Sequence, residues 1–79
     1  MIFLTRIDPA QNMARWYVVG VQPTLFDKIS VVCGWGRIGT AYERWRVLSV
    51  GSQEQADEMA TRIVEKKTRR GYRQIELCA

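Results

Sequence analysis

Trp35 and Arg37 stand two residues apart in Cys33-Gly34-Trp35-Gly36-Arg37-Ile38-Gly39-Thr40, with glycines at 34, 36 and 39 around them. The chemistry these residues offer is recognition. An aromatic plate stacks on a base or packs against a sugar, and a guanidinium takes phosphate oxygens through paired hydrogen bonds. Arg37 projects to the same side as Trp35 if the backbone is extended. Glycines beside the tryptophan let a ligand come close to the backbone. The plainer alternative is that Trp35 fills a gap in the core, the glycines shape a turn and Arg37 is solvated.

Two further basic groups extend this chemistry. Arg44 and Arg46 flank Trp45, and on a strand both arginines share one face while Trp45 takes the other. Either the pair points outward with Trp45 inward, or it tracks phosphate beside Trp35. The densest basic run is Lys66-Lys67-Thr68-Arg69-Arg70-Gly71-Tyr72-Arg73. There Arg69, Arg70 and Arg73 are free for non-specific phosphate contacts. Lys67 packs its stem on the core, and Tyr72 reads as a core ring.

Bond-making chemistry is poorly supplied. The chain has no histidine, hence no side chain with an unperturbed pKa suited to a neutral-pH base. Cys33 and Cys78 lack an activating partner and cannot complete a zinc site. Asp8, Asp27 and Glu43 do not have metal-ligand spacing. The glycine spacing matches neither a phosphate loop nor a dinucleotide fingerprint. No catalytic residue, cofactor or metal is expected.

Size and composition agree with a small binding domain. A chain of 79 residues allows one domain, spanning 1–79, with a thin core. Its net charge of +4 comes from 12 basic and 8 acidic residues, and nine of the 12 are arginine. Arginine has the planar donor fork that matches phosphate, so the balance favours an anionic partner. No window approaches the ~18 apolar residues of a membrane span. No basic leader precedes an apolar run, and a reduced, cytoplasmic protein is expected.

Alternation and punctuation place the elements. Ile2 to Asp8 reads as a strand ended by Pro9. Ala10 to Ala14 is a connection, and Arg15 to Gln22 a second strand with Tyr17, Val19 and Val21 on one face and Trp16, Val18 and Gly20 on the other. Thr24 to Asp27 links to a third strand, Lys28 to Cys33. The glycines then fall in a connection before a fourth strand, Trp45 to Val50. Ser52 and Gln55 form a capping box for a helix whose stripe is Ala56, Met59, Ala60, Ile63, Val64 and Lys67. Gly71 stops it, and Tyr72 to Leu77 returns as a last strand. The sum is an α+β fold, a small antiparallel sheet of four to five strands with one long helix packed on one face. Trp16 then lies on the open side of the sheet, where an exposed tryptophan marks an interface.

These residues resemble the WGR domain family, named for the core found here as Trp35-Gly36-Arg37. The likeness extends to Tyr17-Val18-Val19-Gly20-Val21, to Pro23-Thr24-Leu25-Phe26 as in bacterial single-domain members, to Ile38-Gly39-Thr40, and to Lys67 and Arg70-Gly71-Tyr72. It covers Arg15 to Tyr72 and implies a sheet with one helix across it. In poly(ADP-ribose) polymerases such domains help recognise DNA breaks. The resemblance implies that Trp35 packs against the sugar of a strand end and that Arg37 serves DNA or a neighbouring domain. Relatives commonly have Gly-Gln soon after Gly-Thr. Here Ala41-Tyr42-Glu43 follows, setting a ring and an acid near the implied DNA face.

The expected function is therefore binding of double-stranded DNA at ends, nicks or 5′-phosphates, through Trp35, Gly36, Arg37, Arg44, Arg46, Arg69, Arg70 and Arg73. The alternative is a protein-interaction or self-association domain without DNA binding, working through Trp16, Tyr42 and Glu43.

Overall fold

The computed structural model describes residues 1–23 and 29–75. Its elements are β1 (Ile2–Asp8), a 3-10 turn (Pro9–Gln11), β2 (Met13–Pro23), β3 (Ile29–Arg37), β4 (Glu43–Gly51), α1 (Gln53–Arg69) and β5 (Arg73–Ile75). The strands form one sheet in the order β4-β3-β2-β1-β5, with every neighbouring pair antiparallel. The expected link over Thr24–Asp27, the strand start at Lys28, the strand end at Leu77 and the thiol of Cys78 lie outside the described residues.

The helix begins and ends as its sequence requires. The Gln55 amide donates to Ser52 Oγ at 3.2 Å, and the Ser52 amide donates to Gln55 Oε1 at 3.3 Å. At the other end Gly71 takes a φ of +99°, a left-handed backbone that glycine adopts without penalty. That turn lets the Gly71 amide reach the Thr68 carbonyl and the Tyr72 amide reach the Lys67 carbonyl, both at 3.1 Å. These two bonds close the last helical carbonyls and drop Tyr72 into the core, where it is buried. Because β4 and β5 are opposite edges of the sheet, α1 must cross the face between them.

The face under α1 carries the core. Leu4, Tyr17, Val19, Val31 and Cys33 from the strands meet Ala56, Ala60 and Tyr72, with Met59, Ile63 and Val64 packed around them. The alternation expected for β2 holds, since Tyr17 and Val19 join this core. Small side chains at Ala56 and Ala60, both buried, bring the helix axis close to the sheet.

Two expectations are corrected. The third strand does not stop at Cys33 but runs through Gly34-Trp35-Gly36-Arg37. The glycines do not break it because neighbouring rings fill their empty side-chain positions. A Cβ on Gly34 would lie 2.5 Å from the six-membered ring of Trp45, and one on Gly36 would lie 2.8 Å from the ring of Trp16 and in clash with the Tyr42 carbonyl. The close approach that these glycines permit is thus made by tryptophan, not by a ligand. Secondly, Trp45 does not point inward. It is 52% exposed on the face away from α1, which leaves Arg44 and Arg46 on the helix side.

A methyl group at Gly36 must displace backbone, whereas one at Gly34 need only displace an exposed ring. Gly36→Ala is therefore expected to lower stability by about 2–3 kcal/mol, and Gly34→Ala by about 1 kcal/mol. Urea unfolding of both variants checks this, and a Gly36→Ala protein as stable as the parent would refute it.

Candidate functional site

The registers of the sheet set the helix-side residues in rows. Arg15 pairs with Arg37, and Tyr17 with Trp35. Trp35 pairs in turn with Arg44, and Cys33 with Arg46. Side chains directly opposite on one face are neighbours. Two arginines therefore stand side by side at one end, and two aromatic rings form the next row. The rings of Tyr17 and Trp35 stack at 6.0 Å between centroids with 13° between their planes.

The C-terminal end of α1 closes over these rows. Lys67 Nζ sits 4.5 Å above the Tyr17 ring and 5.4 Å from the Tyr72 ring. The Tyr72 ring meets Tyr17 edge-on at 6.3 Å. An ammonium over aromatic faces is an attractive arrangement, and it holds the charge at the wall of a basin of about 750 Å³. From the sheet, Arg15, Arg37 and Arg46 line this basin; from the helix, Lys66, Lys67 and Arg70 do. Tyr17, Trp35 and Tyr72 contribute rings, and no carboxylate is among the lining residues.

Electrostatics follow from that gathering. Burial, and then the nearby Arg70 and Lys66, pull the Lys67 ammonium below its usual 10.5. Burial first, then hydrogen bonding to the Cys33 side chain and the proximity of Cys33 and Tyr72, push the Tyr17 phenol far above its usual range. Tyr17 accordingly stays neutral and serves as an aromatic surface.

The structure brings Trp35, Gly36, Arg37, Arg46 and Arg70 together here. Arg44 shares the face, but its guanidinium carbon lies 5.9 Å from the centroid of the exposed Tyr42 ring, outside the basin lining. Arg69 is exposed on α1, two residues beyond Lys67 and so turned by about 200° around the helix. Arg73 lines a separate hollow with Arg6, Asp8 and Gly71. Of the interface residues, Tyr42 and Trp16 reach the basin lining. Glu43 does not; it pairs with Gly36 at the β4 edge of the sheet.

Sequence reasoning missed Arg15, Lys66 and the charge of Lys67 as basin groups. Arg15 was legible in principle, since it shares parity with Tyr17 and Val19. Lys66 was not, because its placement depends on where α1 ends over the sheet. Among the described residues no group of three metal-ligating side chains comes together. No helix there is long and apolar enough to cross a membrane.

An antiparallel sheet crossed by one helix, with a basic and aromatic basin at the helix end, defines a small interaction module. The chain matches the WGR domain family over residues 1–77 and belongs to it. The family match and the fold support an interaction module for nucleic acid or protein in general. It is similar, at 38% identity over 72 residues, to the uncharacterised protein y4dW of Sinorhizobium fredii. The match covers 91% of this chain and 35% of that protein, so the chain spans about a third of the length of the relative. No solved structure matches it significantly.

The Lys67 shift makes a checkable claim about stability. A lysine whose pKa is lower in the folded than in the unfolded chain binds fewer protons when folded between those two values. Stability then rises with pH across that window. In chemical denaturation at a series of alkaline pH values, the stability of the parent relative to Lys67→Met is expected to rise with pH approaching 10.5, while the raised Tyr17 phenol acts in the opposite direction in both proteins. Identical pH profiles for parent and variant would refute the assignment.

Proposed function

We propose that this domain recognises double-stranded DNA at an end, a nick or a 5′-phosphate, using the basin at the end of α1. The observation that carries this reading is the basin's lining, six cationic side chains around stacked rings with no acid among them. Phosphate groups satisfy the guanidinium forks, and the flat apolar edge of a sugar or base suits the Trp35 and Tyr17 rings. Cavity size favours a terminus. A recess of about 750 Å³ is of the size that takes a small molecule. The side of an uninterrupted duplex is too broad to enter it, whereas the last nucleotide of a strand can.

In this reading Arg37 and Arg46 hold phosphate from the sheet, and Lys67 and Arg70 hold it from the helix. Arg44, on the same face of the sheet, adds long-range attraction. Affinity is dominated by phosphate, with little readout of base identity. Binding also restores the Lys67 pKa toward its usual value, because an anion offsets Arg70 and Lys66.

Labelled duplexes, blunt or nicked, with and without a 5′-phosphate, titrated across a salt series, test the proposal. The expected result is phosphate-dependent binding that weakens steeply with salt. Arg37→Gln and Arg46→Gln are each expected to weaken binding roughly tenfold on every sequence and to lower the salt slope by about 1. Trp35→Leu is expected to lower affinity while leaving the salt slope unchanged. Absence of binding at low salt, or binding indifferent to the 5′-phosphate, overturns the reading.

A further inference from the structure

The other face of the sheet is apolar, and among the described residues its margins are uncovered, while Val18 at its centre is only 3% exposed. Ile7 is 65% exposed, Val47 61%, Trp45 52% and Ile75 40%. Trp16 leans against Trp45, with ring centroids 6.0 Å apart at 52°. A bare apolar face of this kind marks an interaction site. The cations of the basin lie on the opposite face, so phosphate neutralisation does not explain it.

Registers show how its charges are arranged. Glu43 pairs with Gly36, Gly36 with Trp16, Trp16 with Thr5, and Thr5 with Arg73. These residues form one row across all the strands, with an acid at the β4 edge and a base at the β5 edge. Among the described strand residues facing this side, Glu43 and Arg73 are the charged ones, and both are exposed. The next row runs from Trp45 at one edge to Ile75 at the other.

We propose that two copies of this chain associate through this face, about a two-fold axis parallel to the strands. Such an axis reverses strand order, laying β4 of one copy over β5 of the other and β2 over its own counterpart. Glu43 then meets the second copy's Arg73, and Arg73 meets the second copy's Glu43. Trp45 covers the second copy's Ile75, and the two Trp16 side chains approach each other at the axis. The contact is isologous and closes on itself. Two sheets stacked with their strands nearly aligned, ~10 Å apart, are a common packing arrangement.

Area sets the strength. Five strands at ~4.8 Å spacing and about three rows ~7 Å apart bound the footprint at roughly 500 Å² per copy, below the ~800 Å² per partner of a standard interface. The dimer is therefore reversible and concentration-dependent. Both helices face outward, so the cationic walls of both basins stay open, while Trp16 belongs to both the basin rim and the contact.

Sedimentation equilibrium of the full chain, from about 1 µM to about 1 mM, tests the proposal without nucleic acid. A monomer–dimer equilibrium is expected. Val47→Lys is expected to weaken it roughly a hundredfold by burying unpaired charge, with circular dichroism confirming the fold. Glu43→Arg is expected to weaken it about tenfold, and Glu43→Arg with Arg73→Glu to restore it to within about threefold. A monomer throughout, a dimer unaffected by Val47→Lys, or a charge swap that fails to restore association overturns the proposal.

Discussion

Alternation along β3 governs the rest of this molecule. Gly34, Trp35 and Gly36 occupy successive positions of an interior strand, so two missing side chains face one side and a large ring faces the other. Neighbouring strands supply what the glycines lack, Trp45 over Gly34 and Trp16 over Gly36. An alanine at either position would push these rings away. The motif thereby sorts three tryptophans. Trp35 goes under the helix side against Tyr17, and Trp16 and Trp45 go to the open side against each other. With Trp35 on the helix side, the next residue of the same parity, Arg37, must stand beside Arg15.

Those features that depend on local chemistry were legible in the sequence. Ser52 and Gln55 announce a helix start, and Gly71 announces its stop. Period-two alternation assigned both faces of β2 correctly, and Trp16 with it. The glycine-rich segment was not legible as a strand, because glycine in isolation reads as a break. Only the pairing of β3 with β2 and β4 shows that rings from those strands substitute for side chains. The orientation of Trp45 failed for the same reason. Parity separates Trp45 from Arg44 and Arg46, but which face meets the helix depends on the register with β3. A burial rule that sends tryptophan inward then gives the wrong answer.

The basin shows how a contiguous basic run can be divided by helix geometry. Lys66, Lys67 and Arg70 reach the basin while Arg69 does not, since Arg69 is turned about 200° around the helix from Lys67. Sequence alone separates Lys67, packed by its stem, from Arg69, Arg70 and Arg73, but it does not set Arg69 apart from Arg70 or bring in Lys66. The helix cap adds a constraint of its own. The same left-handed Gly71 that lets Tyr72 bond back to the Lys67 carbonyl also lowers the Tyr72 ring beside the Lys67 ammonium. Ending the helix and building one wall of the site are a single local event.

Charge placement in this basin runs against stability. Like charges directly opposite on neighbouring strands are unfavourable, yet Arg15 and Arg37 are paired in that way, and the Lys67 ammonium, lowered first by burial, is lowered further by Arg70 and Lys66. Carboxylates that could relieve it are used elsewhere. Asp8 accepts from the Ala10 amide, Asp57 from the Gln53 side chain, and Glu54 sits in the first turn of α1, where it suits the helix dipole. An anion in the basin would remove this repulsion as it binds. Part of its binding free energy then comes from relieving repulsion among these cations, and by linkage the same anion must stabilise the fold.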